Sequence, residues 1–357
     1  MSETPSDEFR KIQLTGRASF IVSVPKKWVL ALGLRPGDPI AVRTLEDSSL
    51  LLIPKKLVEK TPKKEARIIV SPADDIQSII RRIISLYAVG CNTIYVECTE
   101  SHFTTKQLSS IKDAVRRKLI GTEVVTESSN ELILHILLGY PKLSVPDAIR
   151  RMFIIASSMC RDAISALKNL DKDLARSVID ADDEVNRFDL YAVRMLKATL
   201  QDNRLIKEVG LKTITESLGY RLVTTCLERV ADHAVRIAEN VLAIDKPIPE
   251  SIYQKILEYS SIGTKLLEDS LNALFKEDYC AADRVLSELE EIVVVEKGLL
   301  EIILNRRLDA KTVSHLTLIL ESSKRISEYS EDIAEITLNR TVEKAGEMLS
   351  AGYAKRR

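Results

Sequence analysis

Three carboxylates stand at helical spacing in one short stretch of the chain, at Glu228, Asp232 and Glu239. The stretch 228–239 contains neither Gly nor Pro, and its apolar residues recur every three or four positions, which predicts a helix. At 3.6 residues per turn the three acids lie roughly opposite the apolar face. Carboxylates in line can bind a hard cation, or they can form a solvated surface. Both interpretations stay open at this point.

The elements that would position these acids are long helices. From residue 145 onward the chain consists of apolar, helix-periodic segments separated by short breaks, for example at Asn169-Leu170-Asp171 and at Pro247-Ile248-Pro249. Short connections between long helices favour antiparallel bundles. The predicted helices span residues 145–169, 173–203, 212–243, 249–276, 278–305 and 310–342.

The helical part contains an internal repeat with an offset of 96 residues. Arg229-Val230-Ala231-Asp232-His233 corresponds to Arg325-Ile326-Ser327-Glu328-Tyr329, and Ile237-Ala238-Glu239 corresponds to Ile333-Ala334-Glu335. A fixed offset indicates a duplicated supersecondary unit. We therefore expect two copies of a three-helix unit, with the repeated helix third in each.

The stretch Glu228-Arg229-Val230-Ala231-Asp232-His233-Ala234 resembles the signature of the PhoU phosphate-uptake regulators. The resemblance covers about 195 residues of the sequence and implies two tandem three-helix bundles. Members of that family carry a carboxylate-xxx-carboxylate motif on the second and third helices of each bundle, and in some members these motifs bind iron or zinc clusters.

Carried over by position, the resemblance implies a metal site on the first bundle. Glu228 and Asp232 keep the motif on the third helix, and Asp182 keeps its first acid on the second helix. Asn186 replaces the other acid, and Asp189, seven residues after Asp182, lies on the same stripe and can compensate. The expected ligands are Asp182, Asp189, Glu228 and Asp232, with iron or zinc as the cofactor. The alternative is a solvated acidic face partnered by Arg229 and Arg236.

The second copy departs further from the family motif. Lys324 stands where the first copy has Glu228, Glu328 replaces Asp232, and Val294 follows Glu290 at the fourth position. A lysine ammonium repels a cation and a valine supplies no ligand, so we expect no metal at the second bundle. Lys324 can instead pair with Glu328 along the helix.

Composition bounds the rest of the chain. The 357 residues include equal numbers of acidic and basic side chains, 52 of each, but twelve basic residues face only seven acids up to Lys64. A basic segment on an acidic body favours a polyanionic partner.

The five dispersed cysteines form no CxxC pair, which is typical of free thiols in a reducing compartment. With no signal-peptide pattern and no apolar run of membrane-spanning length, we expect a soluble cytoplasmic protein without membrane insertion.

The basic segment itself reads as two small hairpins. Strands are predicted at 9–14, 18–24, 40–45 and 50–53, with a short helix at 26–32 that ends at Gly33. Hairpins of this size are marginal alone, so a second copy is implied.

The pattern of Arg10-Lys11, Gly16-Arg17, Pro25, Leu32-Gly33-Leu34 and Pro36-Gly37-Asp38 resembles the AbrB/SpoVT swapped-hairpin domain. In that family two chains interleave into one barrel whose basic loops contact DNA. The resemblance implies a homodimer through this domain. Its implied DNA-contacting residues are Arg10, Lys11, Arg17, Lys26 and Lys27; a merely basic dimerisation module is the alternative.

Between head and bundles, residues 67–137 predict the order βαβαββ, a two-layer α/β domain. No phosphate loop or metal-ligand spacing appears there, and a spacer or dimer contact is the expected role. The fold class is therefore multi-domain and mainly α. The expected domains are a dimeric swapped-hairpin β barrel at 1–56, a small α/β domain at 57–141 and a pair of tandem three-helix bundles at 142–357.

These features bear on three functions. The first is a DNA-binding transcriptional regulator of phosphate uptake and intracellular phosphate homeostasis. The second is an adaptor that inhibits a phosphate transporter ATPase or a sensor kinase by protein contact, without specific DNA binding. The third, a di-iron enzyme, requires Glu and Glu-x-x-His motifs that point into a bundle core. The acids here point away from the apolar face, and no catalytic triad or dyad is evident, so we expect a protein that is not an enzyme.

Overall fold

The computed structural model describes residues 8–16, 19–44, 49–55, 64–100, 102–137 and 143–354. It divides into two compact units, residues 1–63 and 64–357. The first unit corresponds to the basic segment. The second contains both the α/β domain and the helical bundles, which pack against each other.

The described residues of the N-terminal unit form two hairpins and a short helix. The strands pair antiparallel as β1–β2 and β3–β4, with Gln13 opposite Ile21 and Ile40 opposite Pro54. Gly16 and Gly33 adopt φ values of +63° and +58°, which a side chain would disfavour. The first two strands are shorter than predicted, since β1 begins at Gln13 rather than at residue 9. The elements are β1 (Gln13–Thr15), β2 (Ser19–Ile21), α1 (Lys26–Ala31), β3 (Ile40–Thr44) and β4 (Leu50–Pro54).

The α/β domain has the predicted order βαβαββ. Its four strands lie in the order β5-β6-β8-β7, with β5 and β6 parallel and the other pairs antiparallel. Asp75 caps the first helix by accepting from the amide of Ser78, and Thr104 with Gln107 forms a capping box on the second. The elements are β5 (Glu65–Val70), α2 (Ile76–Ala88), β6 (Thr93–Cys98), α3 (Thr105–Lys118), β7 (Thr122–Glu127) and β8 (Glu131–Ile136).

The body consists of six long helices in two groups of three, as predicted. The first three pack against one another, and so do the last three. Left-handed residues end two of the helices, Leu170 with φ 53° and Glu277 with φ 52°. A short helix not foreseen from the sequence precedes the third long one. The elements are α4 (Val145–Asn169), α5 (Lys172–Gln201), α6 (Leu205–Glu208), α7 (Glu216–Ala243), α8 (Glu250–Lys276), α9 (Tyr279–Asn305) and α10 (Ala310–Ala354).

The two repeated helices, α7 and α10, make the largest contact between the bundles, and α4 packs against α8 beside them. Arg340 Nη2 lies 2.6 Å from Glu216 Oε1 at one end, and His315 Nδ1 lies 2.8 Å from Asn240 Oδ1 at the other. Residue numbers rise along one helix as they fall along the other, so the helices run antiparallel. Equivalent positions in the two copies of the repeat therefore face each other where α7 and α10 meet.

The α/β domain is fastened to α5 by a buried arginine. Arg194 is 4% exposed, and its guanidinium donates to the carbonyls of Tyr87 at 2.6 Å and Cys91 at 2.8 Å. It also donates to Asn92 Oδ1 at 2.9 Å and lies over the Tyr87 ring. The C-terminal end of α2 is thereby held directly against the first bundle.

Candidate functional site: an acidic stripe on the first bundle

The four predicted metal ligands lie on α5 and α7, close enough for their charges to act on one another. The negative charge of Asp232 raises the pKa of Asp182, and Asp232, Asp189 and Asp182 all raise the pKa of Glu228, although burial is the largest cause in both cases. Mutual repulsion of this kind requires carboxylates at short range. The acids that the family resemblance groups together are thus electrostatic neighbours, while their role as metal ligands stays a prediction.

Asp182 is the most perturbed member of the stripe. Its pKa is raised to about 6, first by burial, then by the charges of Asp232 and Asp183. Asn186, which stands where the family motif has an acid, donates its side-chain amide to Asp182 Oδ2 at 2.6 Å. The other oxygen, Oδ1, is buried and has no hydrogen-bond partner among the described residues. A buried carboxylate oxygen without a donor is a feature that a bound cation would satisfy.

Asp189 is already engaged by a cation of the protein. Arg221 Nη1 lies 3.0 Å from Asp189 Oδ1 and also donates to Thr224 Oγ1 at 2.8 Å. An ion would have to compete with this guanidinium for Asp189. Asp189 therefore compensates for the acid that Asn186 replaces less well than its spacing from Asp182 alone implies.

The α/β domain contributes positive charge to the edge of the stripe, which sequence reasoning missed. Arg117 Nη2 lies 2.7 Å and Lys118 Nζ 3.5 Å from the carboxylate of Asp183. Lys118 also opposes the rise in the pKa of Asp182. The sequence does show a basic end of α3, Arg116-Arg117-Lys118, but Asp183, the acid with which it pairs, lies in another domain.

Oxygen donors are the ligand type that hard cations take, so the chemistry of the stripe suits a metal ion. The side chains as placed do not yet form a coordination sphere: in the described part of the chain, no three His, Cys, Asp or Glu side chains converge at ligand geometry. Asp182 would have to release Asn186 and turn toward Glu228 and Asp232. Metal binding therefore stays a prediction.

His233 and two arginines, Arg229 and Arg236, line a groove beside the stripe that Asp232 also lines. His233 is 7% exposed and packs at a tilt against Tyr329, with ring centroids 5.9 Å apart. Burial first, then the nearby charges of Arg236 and Arg325, lower the pKa of His233 to about 4, with Glu328 opposing them. Over the described residues, neither Arg229 nor Arg236 forms an ion pair with the stripe. Arg229 still acts on the stripe at longer range, because its charge opposes the rise in the pKa of Glu228. The alternative of a solvated acidic face with arginine partners therefore stays a prediction.

The corresponding position of the second bundle is held by an ion pair between helices. Lys324 Nζ lies 3.2 Å from Glu296 Oε2 on α9, while Glu328 pairs with Arg325 at 2.7 Å. The expected pairing of Lys324 with Glu328 is thus replaced, because a glutamate on the adjacent helix is available. The side chains of Glu290 and Val294 lie outside the described ones.

The basic residues predicted to contact DNA lie on the N-terminal unit. Arg10, Lys11, Lys26 and Lys27 are exposed, and Arg10 pairs with Glu8. Arg17 lies outside the described residues. These exposed side chains are accessible to a polyanion such as the DNA backbone, and none of them is assigned to a contact with a base.

Comparison with known proteins agrees with both halves of this description. Residues 149–241 match the PhoU domain, and residues 13–60 match the family described as antidote-toxin recognition MazE, a bacterial antitoxin. The phosphate-specific transport system accessory protein PhoU homolog 1 of Thermotoga maritima is 23% identical over 195 residues, 53% of this chain and 82% of the relative. PhoU of Escherichia coli is 26% identical over 206 residues, 54% of this chain and 80% of the relative.

Among solved structures, the phosphate transport system regulatory protein PhoU of Streptococcus pneumoniae aligns with a TM-score of 0.46 and 19% identity. The alignment covers 54% of this chain and 91% of the Streptococcus pneumoniae chain.

The fold defines the class of protein. A hairpin head is followed along the chain by a small α/β domain and then by a body of two three-helix bundles, the first of which carries the acidic stripe. Within that class, the chain carries a PhoU domain in its first bundle and a MazE/AbrB-like domain at its N-terminus. The relatives' names describe accessory proteins of phosphate-specific transport systems. Across the described residues, none of the helices combines the length and the apolar character that a bilayer crossing needs.

Proposed function

We propose that the protein is a DNA-binding transcriptional regulator of phosphate uptake and intracellular phosphate homeostasis. The observation that carries this proposal is the presence in one chain of a MazE/AbrB-like head with exposed basic side chains and a PhoU domain. The head binds operator DNA, and the bundle body responds to phosphate status or to a partner. In this role the protein is a cytoplasmic regulator and not an enzyme.

The apolar surface of the head supports a dimer. Phe9 is 95% exposed, Phe20 72% and Leu14 64%, and no residue of α1 is buried. Hairpins that leave so many large side chains in water lack a core of their own. A second copy, interleaving its hairpins, is the occupant that fits a small self-complementary β unit.

The dimer is tested by light scattering coupled to size exclusion. Phe20→Asp should give a monomer, because it places a charge in the shared core. Ile154→Asp, at an exposed apolar site on α4, should stay dimeric. A dimeric Phe20→Asp variant would place dimerisation elsewhere.

Binding to DNA is tested by gel shift with promoters of phosphate-transport genes against unrelated DNA of equal length. The intact protein should retard the promoters at lower concentration than the control DNA. Replacing Arg10 and Arg17 by Ala should abolish the shift. Equal affinity for both DNAs would refute operator binding.

The second candidate is an adaptor that contacts a phosphate transporter ATPase or a sensor kinase. It is favoured by the relatives, which are named for transport and match only 53–54% of this chain. A pull-down distinguishes the two functions: residues 64–357 should retain an adaptor's partner and lose DNA binding. The acidic stripe, with iron or zinc at the first bundle only, is the proposed metal site in either case.

A further inference from the structure

A groove lies between the two repeated helices, α7 and α10, beside the acidic stripe, with which it shares Asp232. Its volume is about 730 Å³, and both helices line it along matching stripes. Pockets of this size are typical of small-molecule sites. Neither bundle contains the groove alone, because it exists only where the two copies of the repeat meet.

Three arginines line the groove, Arg229 and Arg236 from α7 and Arg325 from α10. Arg229 and Arg325 are equivalent positions in the repeat, brought together by the antiparallel packing. Arg325 is neutralised by Glu328 at 2.7 Å and Glu321 at 3.6 Å. Arg229 and Arg236 form no ion pair within the part of the chain that the structure describes. Among the described residues, two guanidinium groups thus line the groove without a close ion-pair partner.

Two acids also line the groove, Asp232 and Glu321. Glu321 is occupied by Arg325. Asp232 belongs to the acidic stripe, where its charge acts on Asp182 and Glu228. The groove therefore has an excess of positive charge, which selects an anion over a cation.

The floor of the groove is polar and buried. His233 is 7% exposed, and its Nδ1 atom has no hydrogen-bond partner among the described residues. Ser322 is 4% exposed beside it. A buried imidazole nitrogen without a partner is rare in folded proteins, and here it belongs to a side chain that lines a cavity. It offers a bound anion or its organic part a hydrogen bond at depth.

We infer that this groove binds a small anion carrying phosphate. The planar guanidinium fork matches a phosphate group with two parallel hydrogen bonds, and two such forks are available at one wall. Tyr329 and Leu318 supply an apolar wall on the other helix, so the volume accommodates a phosphate attached to an organic group as well as the free ion. The inference rests on the proposed function in naming the ligand class to which the bundle body responds. Its test needs no DNA, so the two can fail separately.

The test is isothermal titration calorimetry of the full chain with potassium phosphate, pyrophosphate and ATP in separate titrations. Ionic strength is matched with chloride, and sulfate serves as an anion control. EDTA is present throughout, so that a cation on the acidic stripe cannot supply the binding. Preference for inorganic phosphate identifies the free ion, and preference for pyrophosphate or ATP identifies a larger phosphorylated ligand; either result supports the site.

The double variant Arg229→Gln/Arg236→Gln should weaken binding by about tenfold or more, since removing each charge-assisted hydrogen bond reduces affinity. Arg176→Gln, at an exposed arginine on α5 paired with Asp173, is the matched control and should bind like the wild type. In NMR spectra the imidazole signals of His233 should move on titration, while those of His102 and His135 stay in place.

Absence of binding at millimolar concentrations of all three phosphate probes would overturn the inference. So would binding that the double variant leaves unchanged. Equal binding of sulfate and of the phosphate probes would overturn the assignment to phosphate. A folding defect of the double variant is recognised from its circular dichroism, and His233→Gln then provides a second variant at the floor of the groove.

Discussion

The Nη1 atom of Arg194 lies 2.6 Å from the carbonyl oxygen of Tyr87, across the boundary between the bundle body and the α/β domain. Burial lowers the pKa of this guanidinium, while the neighbouring Tyr87 and Cys91 oppose the change. A charge buried so completely persists only because its surroundings supply hydrogen bonds and a ring face. The two domains are therefore held as one unit through this residue.

Replacing Arg194 by Met should destabilise the junction by about 2–4 kcal/mol, because two buried carbonyls are left without their donor. Urea unfolding followed by circular dichroism should show an earlier, less cooperative transition. Arg176→Met, at an exposed position on the same helix, should change stability by less than about 0.5 kcal/mol. Equal effects from both variants would contradict a specific role for Arg194.

Close packing of α8 against α10 gives a second prediction. A Cβ atom at Gly263 would overlap the Oγ atom of Ser327, whereas one at Gly298 on α9 meets nothing within 4 Å. Gly263→Ala should therefore cost about 1–3 kcal/mol, although alanine favours helix. Gly298→Ala should stabilise the protein by about 0.5–1 kcal/mol. Thermal unfolding of the two variants should shift in opposite directions, and a stabilising Gly263→Ala would refute the close approach.

The pH dependence of stability contains two opposing contributions. The pKa of Asp182 is raised to about 6, so the folded state holds more protons than the unfolded state between about pH 4 and 6, and stability falls as pH rises through that range. The pKa of His233 is lowered to about 4, so the unfolded state holds more protons between about pH 4 and 6.5, and stability rises with pH.

Single variants should separate the two contributions. Asp182→Asn removes the falling contribution, so its stability should rise more steeply from pH 4 to 6 than that of the wild type. His233→Gln should do the reverse. Because water partly screens Asp182, and because His233 lines an open groove, each change should be on the order of 1–2 kcal/mol over the window. Urea titrations at several pH values measure the slopes; changes of the same sign would show that the assignment is wrong.

Elemental analysis tests the acidic stripe. Protein purified without chelator should contain at most one bundle's complement of iron or zinc per chain, and Asp182→Asn or Glu228→Gln should lose it. Glu239→Gln, an exposed acid on the same helix, should keep the metal. A full complement at both bundles would contradict the expectation drawn from Lys324 and Val294.

Sequence reasoning succeeded where structure is local. The helices of the body lie within a few residues of the predicted segments at nearly every boundary, because Pro, Gly and capping residues mark their ends. The 96-residue offset identified the helix that would be repeated. The family resemblance also grouped Asp182 with Glu228 and Asp232, whose charges act on one another in the structure.

Contacts between distant segments were beyond the same reasoning. A helical wheel gives the face of Arg229 and Arg236 but not the neighbour across it, so the sequence suggests them as partners of the acids and not as groove residues. Arg194 looks like any surface arginine in the sequence, since its acceptors lie about a hundred residues earlier. The pairing of Arg117 with Asp183 likewise joins two domains that the sequence presents as separate.

The most direct test of the proposed function is the salt dependence of DNA binding, measured by fluorescence anisotropy with a phosphate-transport promoter. The affinity of the intact protein should fall steeply with salt. Lys26→Ala/Lys27→Ala should lower the magnitude of the logarithmic slope by about one for each phosphate that the variant no longer neutralises. Lys255→Ala/Lys265→Ala, at exposed lysines of α8, should leave the slope unchanged. Salt-insensitive binding, or equal effects of the two lysine pairs, would contradict a DNA-binding head.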